Sequence, residues 1–212
     1  MEDKKLKIYH VQGWTEYSNW VENKEIVDNI EDADLVWFEG GSDVWPAMYD
    51  ENIHPTTGFD KQRDLYEKKI YETAKELNIK CWGTCRGSQF LCVMSGGKLV
   101  QHQNNPSFIH PINTYKENII LASSTHHQAQ FPYNLSKEEY KILGWTENML
   151  PFHQGGDREE LNPEKECEIV YYPKTDCLGI QMHPEMLYPD EKYKETIEFC
   201  RELLNDFMNN KL

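Results

Sequence analysis

The chain has 212 residues, of which 36 are Asp or Glu and 22 are Lys or Arg, so its formal net charge at pH 7 is −14. This acidic balance argues against a nucleic-acid backbone or an anionic membrane surface as the main partner. No apolar run approaches the ~20 residues of a spanning helix, and the N-terminal sequence lacks the apolar core of a signal peptide. The six cysteines form no Cys-x-x-Cys pair. We therefore expect a reduced, cytoplasmic protein.

Short apolar runs alternate with helix-like stretches in the first half of the chain. The pattern predicts, in chain order, a strand at 6–11, a strand at 35–38, a helix over 61–77, a strand at 79–82 and a helix over 86–94. Strands separated by helices indicate βαβ units, whose strands pair in parallel.

From residue 98 onward, short β-like runs are broken by Pro, Asn and Gly. The predicted elements there are strands at 109–115, 118–123, 142–145, 168–172 and 178–182, and a closing helix over 192–208. Residues 151–166 are predicted to be a long loop, either a lid over a site or an exposed variable connection. We expect a single domain over 1–212, with an α/β, doubly wound, mainly parallel central sheet and helices on both faces.

The most specific local feature is Gly83-Thr84-Cys85-Arg86-Gly87, between a predicted strand and a predicted helix. This pattern is typical of a nucleophile elbow, with cysteine where many hydrolases have serine. An elbow is a strained, tight turn, and side chains at its flanking glycines would collide with the neighbouring strand and helix. The following helix N-terminus favours the reactive thiolate through its N–H groups and its dipole. The alternative interpretation is a buried cysteine in a glycine-rich turn.

A second predicted strand runs into His183-Pro184-Glu185. In an extended segment, residues i and i+2 project to the same side, so Glu185 is placed to accept a hydrogen bond from His183 and to orient its ring. The alternative is a strand end with a solvated His and Glu. Open α/β sheets bind ligands outside the carboxyl ends of their strands, and both motifs follow strands. We therefore expect the two motifs to form one site.

The order Cys85, then His183-x-Glu185, resembles the class I glutamine amidotransferase superfamily. Other segments are similar to its γ-glutamyl-γ-aminobutyrate hydrolase or γ-glutamyl hydrolase branch, which is peptidase C26-like. These segments are Gly40-Gly41-Ser42-Asp43-Val44-Trp45-Pro46 with Tyr49, Arg63-Asp64 with Glu67, Cys85-Arg86-Gly87-Ser88-Gln89, Gly96-Gly97-Lys98-Leu99 with Gln101, and Ser124-Thr125-His126-His127-Gln128. The resemblance runs from about residue 35 to residue 187.

The resemblance implies a Cys-His-Glu triad, in which Cys85 is the nucleophile, His183 the general acid and base, and Glu185 its orienting partner. It further implies that the backbone N–H groups of Gly41 and Arg86 stabilise the oxyanion. The implied substrate-binding residues are Gln89, Ser124, Thr125 and His126. A metal is not expected, because no carboxylate or thiol lies at ligand spacing beside the adjacent histidines His126 and His127.

The implied reaction is hydrolysis of a small-molecule γ-glutamyl amide through a γ-glutamyl thioester, releasing glutamate and an amine-bearing product without any cofactor. The main alternative is a glutaminase subunit that delivers ammonia to a separate synthetase chain. Domains that serve a synthetase usually have a Gly-Gly-Pro-Gly-like turn where this chain has Gly-Gly-Ser-Asp-Val-Trp-Pro, and no synthetase domain is attached. Both departures favour hydrolysis, and they leave open a synthetase partner in trans or a homodimer.

Two other classes of protein share parts of this pattern. A non-catalytic relative is disfavoured by the intact Cys85, His183 and Glu185. An α/β-hydrolase with a cysteine nucleophile would share the elbow, but there the acid normally precedes the histidine, whereas here it follows by two residues.

Overall fold

The computed structural model describes residues 4–103, 108–147, 154–155, 158–159 and 165–212. Its strands are β1 (Leu6–His10), β2 (Lys24–Ile26), β3 (Leu35–Phe38), β4 (Lys80–Thr84), β5 (Lys98–Val100), β6 (Ile109–Thr114), β7 (Ile119–Ser123), β8 (Ala129–Phe131), β9 (Lys141–Glu147), β10 (Gln154–Gly155), β11 (Arg158–Glu159), β12 (Lys165–Tyr172) and β13 (Cys177–Ile180). Its helices are α1 (Lys61–Glu76), α2 (Arg86–Met94), α3 (Pro184–Leu187) and α4 (Lys194–Met208). Most of the predicted loop at 151–166 lies outside the described residues.

Eleven of the described strands form one sheet in the order β2-β1-β3-β4-β13-β12-β9-β6-β7, with β8 and β5 attached beside β12. The strands β2, β1, β3, β4 and β13 pair in parallel. The remaining strands pair antiparallel. The α/β class is as predicted, but the sheet is mixed. Short turns join β6 to β7 and β12 to β13, and a short turn can connect antiparallel strands, whereas parallel neighbours need a longer crossover.

Helices cover both faces of the parallel half of the sheet. Leu35 and Trp37 of β3 belong to the core cluster that includes α4. Val36 and Phe38 belong to the opposite cluster, which includes α1 and α2. All four side chains are fully buried, as expected for a continuous apolar strand covered on both sides. The expected double-sided architecture is therefore present.

The parallel pair β4 and β13 positions the candidate site. Thr84 lies opposite Ile180 in the ladder between the two strands, and the Cys85 N–H continues the pairing by donating to the Ile180 carbonyl at 2.8 Å. Parallel strands end at the same edge of a sheet, so Cys85 and His183 emerge side by side although they are far apart along the chain. The elbow follows the third predicted strand, which is the fourth strand in the structure because the sequence pattern does not predict β2.

Candidate active site

Cys85 occupies a sharp turn between β4 and α2, with φ +53° and ψ −112°. Positive φ is strained for a residue with a side chain, and such strain is typical of a nucleophile elbow. A Cβ at Gly83 would overlap the backbone of Gly87, and a Cβ at Gly87 would overlap the Phe38 carbonyl. The two flanking glycines are therefore required by backbone contacts on both sides of the turn, as the sequence predicts.

We expect Gly87→Ala to lower the free energy of unfolding by about 1–3 kcal/mol, because the added methyl group must displace the backbone of β3. Urea denaturation of the purified variant measures this loss. Gly58→Ala is the matched control, since an added Cβ there has no atom within 4 Å. Equal stability of the two variants would show that the elbow tolerates a side chain at Gly87.

His183 follows β13 and is held by its backbone. Its N–H donates to Ser123 Oγ at 2.8 Å, and the Ser123 hydroxyl donates back to the His183 carbonyl at 3.2 Å. The ring Nδ1 donates to Glu185 Oε1 at 2.6 Å, and the side chain of Cys85 also interacts with the ring. The structure thus brings Cys85, His183 and Glu185 together, with His183 hydrogen-bonded to Glu185 and interacting with Cys85.

The position of Glu185 corrects one step of the sequence argument. The sequence predicts an extended segment at 183–185, but α3 begins at Pro184 with His183 as its N-cap residue. Glu185 lies in the first turn of this helix. Proline is well suited to a first helical position, because its missing N–H would be unpaired there in any case. The expected contact is present, although a helix turn rather than strand alternation produces it.

The charges of this group of three side chains depend on one another. Burial by itself lowers the pKa of His183, but the hydrogen bonds and charges of Cys85 and Glu185 outweigh burial and raise that pKa to about 10. The imidazole of His183 is therefore protonated at neutral pH.

The Gly40-Gly41 turn follows β3, next to the elbow. Gly41 has φ +136°, a conformation that favours glycine, and a Cβ there would overlap Arg63 Nη1. Arg86 is the first residue of α2, so its N–H belongs to the first turn, whose donors have no intrahelical acceptor. Backbone N–H groups of this kind can stabilise a developing negative charge.

The side chain of Arg86 belongs to a buried ion network that packs beneath the turn. It pairs with Asp64 and Glu67, both fully buried on α1. Burial lowers the pKa of Arg86, and the charge of Arg63 lowers it further, while Asp64 opposes both effects. Arg63 also binds Glu67, through Nε to Oε1 at 2.8 Å. The network fixes the base of α2 against α1.

Two of the predicted substrate-binding residues meet at one backbone carbonyl. Gln89 Nε2 donates to the Gln128 carbonyl at 2.9 Å, and His126 Nδ1 donates to the same oxygen at 2.8 Å. Burial lowers the pKa of His126, while the charge of Glu168 and the hydrogen bond to Gln128 oppose this effect. Ser124 is buried, whereas Thr125 is exposed. The structure therefore groups Gln89 with His126 but leaves the Thr125 side chain at the surface.

Tyr17 also belongs to the site, although the motifs in the sequence do not identify it. Its ring lies 5.8 Å from the His183 ring, centroid to centroid, and its hydroxyl packs against Gly40, where an added Cβ would lie 2.6 Å from it. Burial raises the pKa of Tyr17, and the nearby Glu185 and Cys85 add to this shift. No local signal could have found this tyrosine, because its contact with the site depends entirely on how residues 15–18 pack.

The described part of the chain lacks two kinds of feature. It contains no group of three or more His, Cys, Asp or Glu side chains arranged to bind a metal ion. The same residues include no helix long and apolar enough to cross a bilayer.

Residues 17–141 match the family model of peptidase C26. The chain belongs to the peptidase C26 family. This match covers more than half of the sequence and includes the elbow, and it confirms the resemblance to the class I glutamine amidotransferase-like superfamily. Peptidase C26 proteins and their amidotransferase-like relatives are cysteine-type amidohydrolases and amidotransferases, so this member is a hydrolase-type enzyme.

Two curated relatives extend the match beyond the family model. This peptidase C26 protein is 30% identical to protein NtpR of Enterococcus hirae over 184 residues, covering 75% of this chain and 70% of the relative. It is 29% identical to the glutamine amidotransferase-like protein YvdE of Lactococcus lactis over 179 residues, covering 78% of this chain and 71% of that relative.

Solved structures agree on the fold. A glutamine amidotransferase from Thermotoga maritima superposes with a TM-score of 0.52 at 15% identity, covering 97% of this peptidase C26 chain and 96% of that chain. A Thermoplasma acidophilum protein, provisionally assigned to GMP synthase, superposes with a TM-score of 0.59 at 16% identity, covering 98% and 94%. The architecture is therefore that of the class I glutamine amidotransferase fold.

Proposed function

We propose that the protein hydrolyses γ-glutamyl amides through a thioester on Cys85. One observation carries the proposal: the buried His183 ring binds Glu185 through Nδ1 at 2.6 Å and interacts with the side chain of Cys85. A nucleophile, a base within hydrogen-bond reach and a group that orients the base are the parts that acyl transfer requires. The family membership supports the same class of reaction.

In the proposed acylation step, the Cys85 thiolate attacks the side-chain carbonyl carbon of the γ-glutamyl group. The carbonyl oxygen becomes an oxyanion, which accepts hydrogen bonds from the N–H groups of Gly41 and Arg86. The intermediate collapses as the C–N bond breaks, and the His183 imidazolium gives its proton to the departing amine. The products of this half-reaction are a free amine and a γ-glutamyl thioester.

In the proposed deacylation step, the now neutral His183 removes a proton from water, and the resulting hydroxide attacks the thioester carbonyl. The same two N–H groups stabilise the second oxyanion. The C–S bond then breaks, releasing glutamate and restoring the thiolate–imidazolium pair. Glu185 holds the His183 ring and stabilises its positive charge throughout.

The glutamyl half of the substrate is proposed to bind beside Gln89, Ser124, Thr125 and His126. Gln89 and His126 both donate to the Gln128 carbonyl. The bond from Gln89 holds the segment 124–128 against α2. A substrate carbonyl over Cys85 would then extend its glutamyl chain toward them.

A screen of the purified protein against glutamine and a panel of γ-glutamyl amides, read as glutamate release, tests the proposal. We expect turnover without added metal or partner, and a γ-glutamyl adduct on the Cys85 peptide by mass spectrometry after rapid quenching. Turnover with no adduct on Cys85 would contradict the mechanism. Glutamine hydrolysis that appears only when a synthetase chain is added would favour ammonia delivery in place of free-standing hydrolysis.

The pH dependence offers a second test, centred on Glu185. Because the pKa of His183 is raised to about 10, its proton is retained at neutral pH, and we expect kcat/KM to fall only as pH rises through that value. The stabilisation that accompanies this raised pKa is complete below the ordinary histidine value of about 6.5 and is likewise lost as pH rises toward the folded-state value.

Glu185→Gln removes a neighbouring negative charge and is expected to move the alkaline limb down by roughly 1–3 pH units. The pH profile of kcat/KM measures the shift. Glu191→Gln is the control, since that carboxylate is 85% exposed and lies outside the site. An unchanged alkaline limb in Glu185→Gln would show that Glu185 does not govern the charge of His183.

A further inference from the structure

A guanidinium group is seated directly against the Gly40-Gly41 turn. Arg63 Nη2 donates to the Gly40 carbonyl at 2.8 Å and to the Glu39 carbonyl at 3.3 Å. The Arg63 N–H donates to Asp60 Oδ1 at 3.2 Å, which is the N-cap contact of α1. Arg63 is therefore anchored at one end to a helix terminus and at the other to the turn.

The contact between Arg63 and the Gly40 carbonyl also sets the direction of the Gly41 N–H. In a trans peptide the C=O and the N–H of the same unit point in opposite directions. Holding the Gly40 carbonyl toward Arg63 therefore turns the Gly41 N–H to the opposite side, away from the guanidinium. The Gly40-Gly41 peptide would otherwise be free to rotate, because glycine permits many backbone conformations.

The carboxylate of Glu67 holds the side chain of Arg63. It also holds the side chain of Arg86, the residue whose backbone N–H is the second proposed oxyanion donor. Glu67 binds Arg63 Nε through Oε1 at 2.8 Å and binds the Arg86 guanidinium through Oε2. Gln12 Nε2 donates to the same Oε1 at 3.0 Å. The Glu67 side chain is fully buried, and that of Arg63 is 11% exposed, so the pairs are shielded from water.

We propose that Arg63 is a positioning residue for the oxyanion site. It orients the Gly41 N–H through the Gly40 carbonyl, and Glu67 couples this turn to Arg86, whose backbone supplies the other N–H. The positively charged Arg63 guanidinium, bound to the Gly40 carbonyl, also polarises the Gly40-Gly41 peptide. This polarisation strengthens the Gly41 N–H as a hydrogen-bond donor. This inference rests on the proposed acyl transfer.

The test compares Arg63→Met and Arg63→Lys with the unmodified protein and with Lys68→Met. Lys68 lies on the same helix with a side chain 49% exposed, so its substitution controls for the loss of a cation. We expect Arg63→Met to lower kcat by roughly 10²–10³-fold, the usual cost of one oxyanion donor, with KM nearly unchanged. Arg63→Lys should lie between Arg63→Met and the unmodified protein, since it keeps the charge but loses the fork geometry.

Two inactivators of Cys85 separate positioning from a general structural role. Iodoacetamide alkylates a thiolate without forming an oxyanion, so its rate should be unchanged in every variant. A chloromethyl ketone analogue of glutamine presents a carbonyl to the turn, and its rate should fall in Arg63→Met by a factor similar to that for kcat. Equal losses with both reagents, or a loss with neither, would overturn the proposal.

The two proposals fail in distinguishable ways. If the unmodified protein hydrolyses no γ-glutamyl amide, the proposed function fails and the positioning role fails with it. If the unmodified protein is active and the ratio of the two inactivation rates is the same in Arg63→Lys and Arg63→Met as in the unmodified protein, only the positioning role fails. If Arg63→Met does not fold, the ratio of the two inactivation rates in Arg63→Lys alone tests the positioning role. Lysine is suited to this test because it retains a positive charge near Glu67.

Discussion

Replacing Cys85 with alanine is expected to lower kcat for γ-glutamyl amide hydrolysis by about 10⁶-fold, the scale observed when a triad nucleophile is lost. Without the sulfur no thioester forms, and the remaining N–H donors can only assist direct attack by water. Alanine retains the β-carbon and the side chain is 7% exposed, so we expect little change in folding. Glutamate release under single-turnover conditions and thermal unfolding measure the two effects.

Cys167→Ala is the matched control for loss of a buried thiol. Cys167 is buried on β12, outside the group formed by Cys85, His183 and Glu185. We expect this variant to retain its activity and to lose a modest amount of stability, of about 1 kcal/mol, through the small cavity created. Undiminished turnover in Cys85→Ala, or abolished turnover in Cys167→Ala, would contradict the assignment of the nucleophile.

His183→Asn is expected to reduce kcat by about 10⁴–10⁶-fold, because it removes both the base that activates the thiol and the acid that protonates the leaving amine. Asparagine keeps the backbone hydrogen bonds to Ser123, since they involve the His183 N–H and C=O. The variant should therefore fold, which circular dichroism can verify. His54→Asn is the control, and near-normal turnover in His183→Asn would refute its role.

The double variant sharpens both predictions. Residues that act as a unit in one reaction show strongly non-additive effects. We expect Cys85→Ala combined with His183→Asn to be no slower than Cys85→Ala alone. An additional large loss in the double variant would show that His183 contributes independently of the thiol.

Local sequence signals predicted the elements that are strongly apolar or sterically constrained. The bounds predicted for β3 (Leu35–Phe38) and α2 (Arg86–Met94) are confirmed. A continuous buried run identifies the strand, and glycine spacing around Cys85 identifies the elbow, because the collisions at Gly83 and Gly87 involve residues close along the chain or on the adjacent strand.

Short strands and strand direction were not predictable in the same way. Strands β2, β5 and β8 have three residues each, too few to show a period of alternation. They are strands because a neighbouring edge offers unpaired backbone groups. The antiparallel half of the sheet likewise depends on which strands become neighbours, which periodicity does not specify.

The buried face of α1 shows how tertiary contacts override an apolar pattern. Leu65, Ile70, Ala74 and Leu77 lie near helical spacing in the sequence. Ala74 is fully buried, but Leu65 and Leu77 are 44% and 43% exposed. Asp64 and Glu67 are fully buried instead. Burying carboxylates is costly unless they are paired, and their partner Arg86 comes from another helix. Only the packing of α1 against α2 makes this arrangement favourable.

By itself, the sequence determined the strand–turn–helix at Cys85, through its glycine spacing, and the pairing of His183 with Glu185, which are two residues apart. The tertiary structure alone decided that these two segments meet, because the β4–β13 pairing is a contact between distant parts of the chain. It also decided that Tyr17 and Arg63 lie against the Gly40-Gly41 turn. Such contacts depend on packing of whole elements, which no local pattern records.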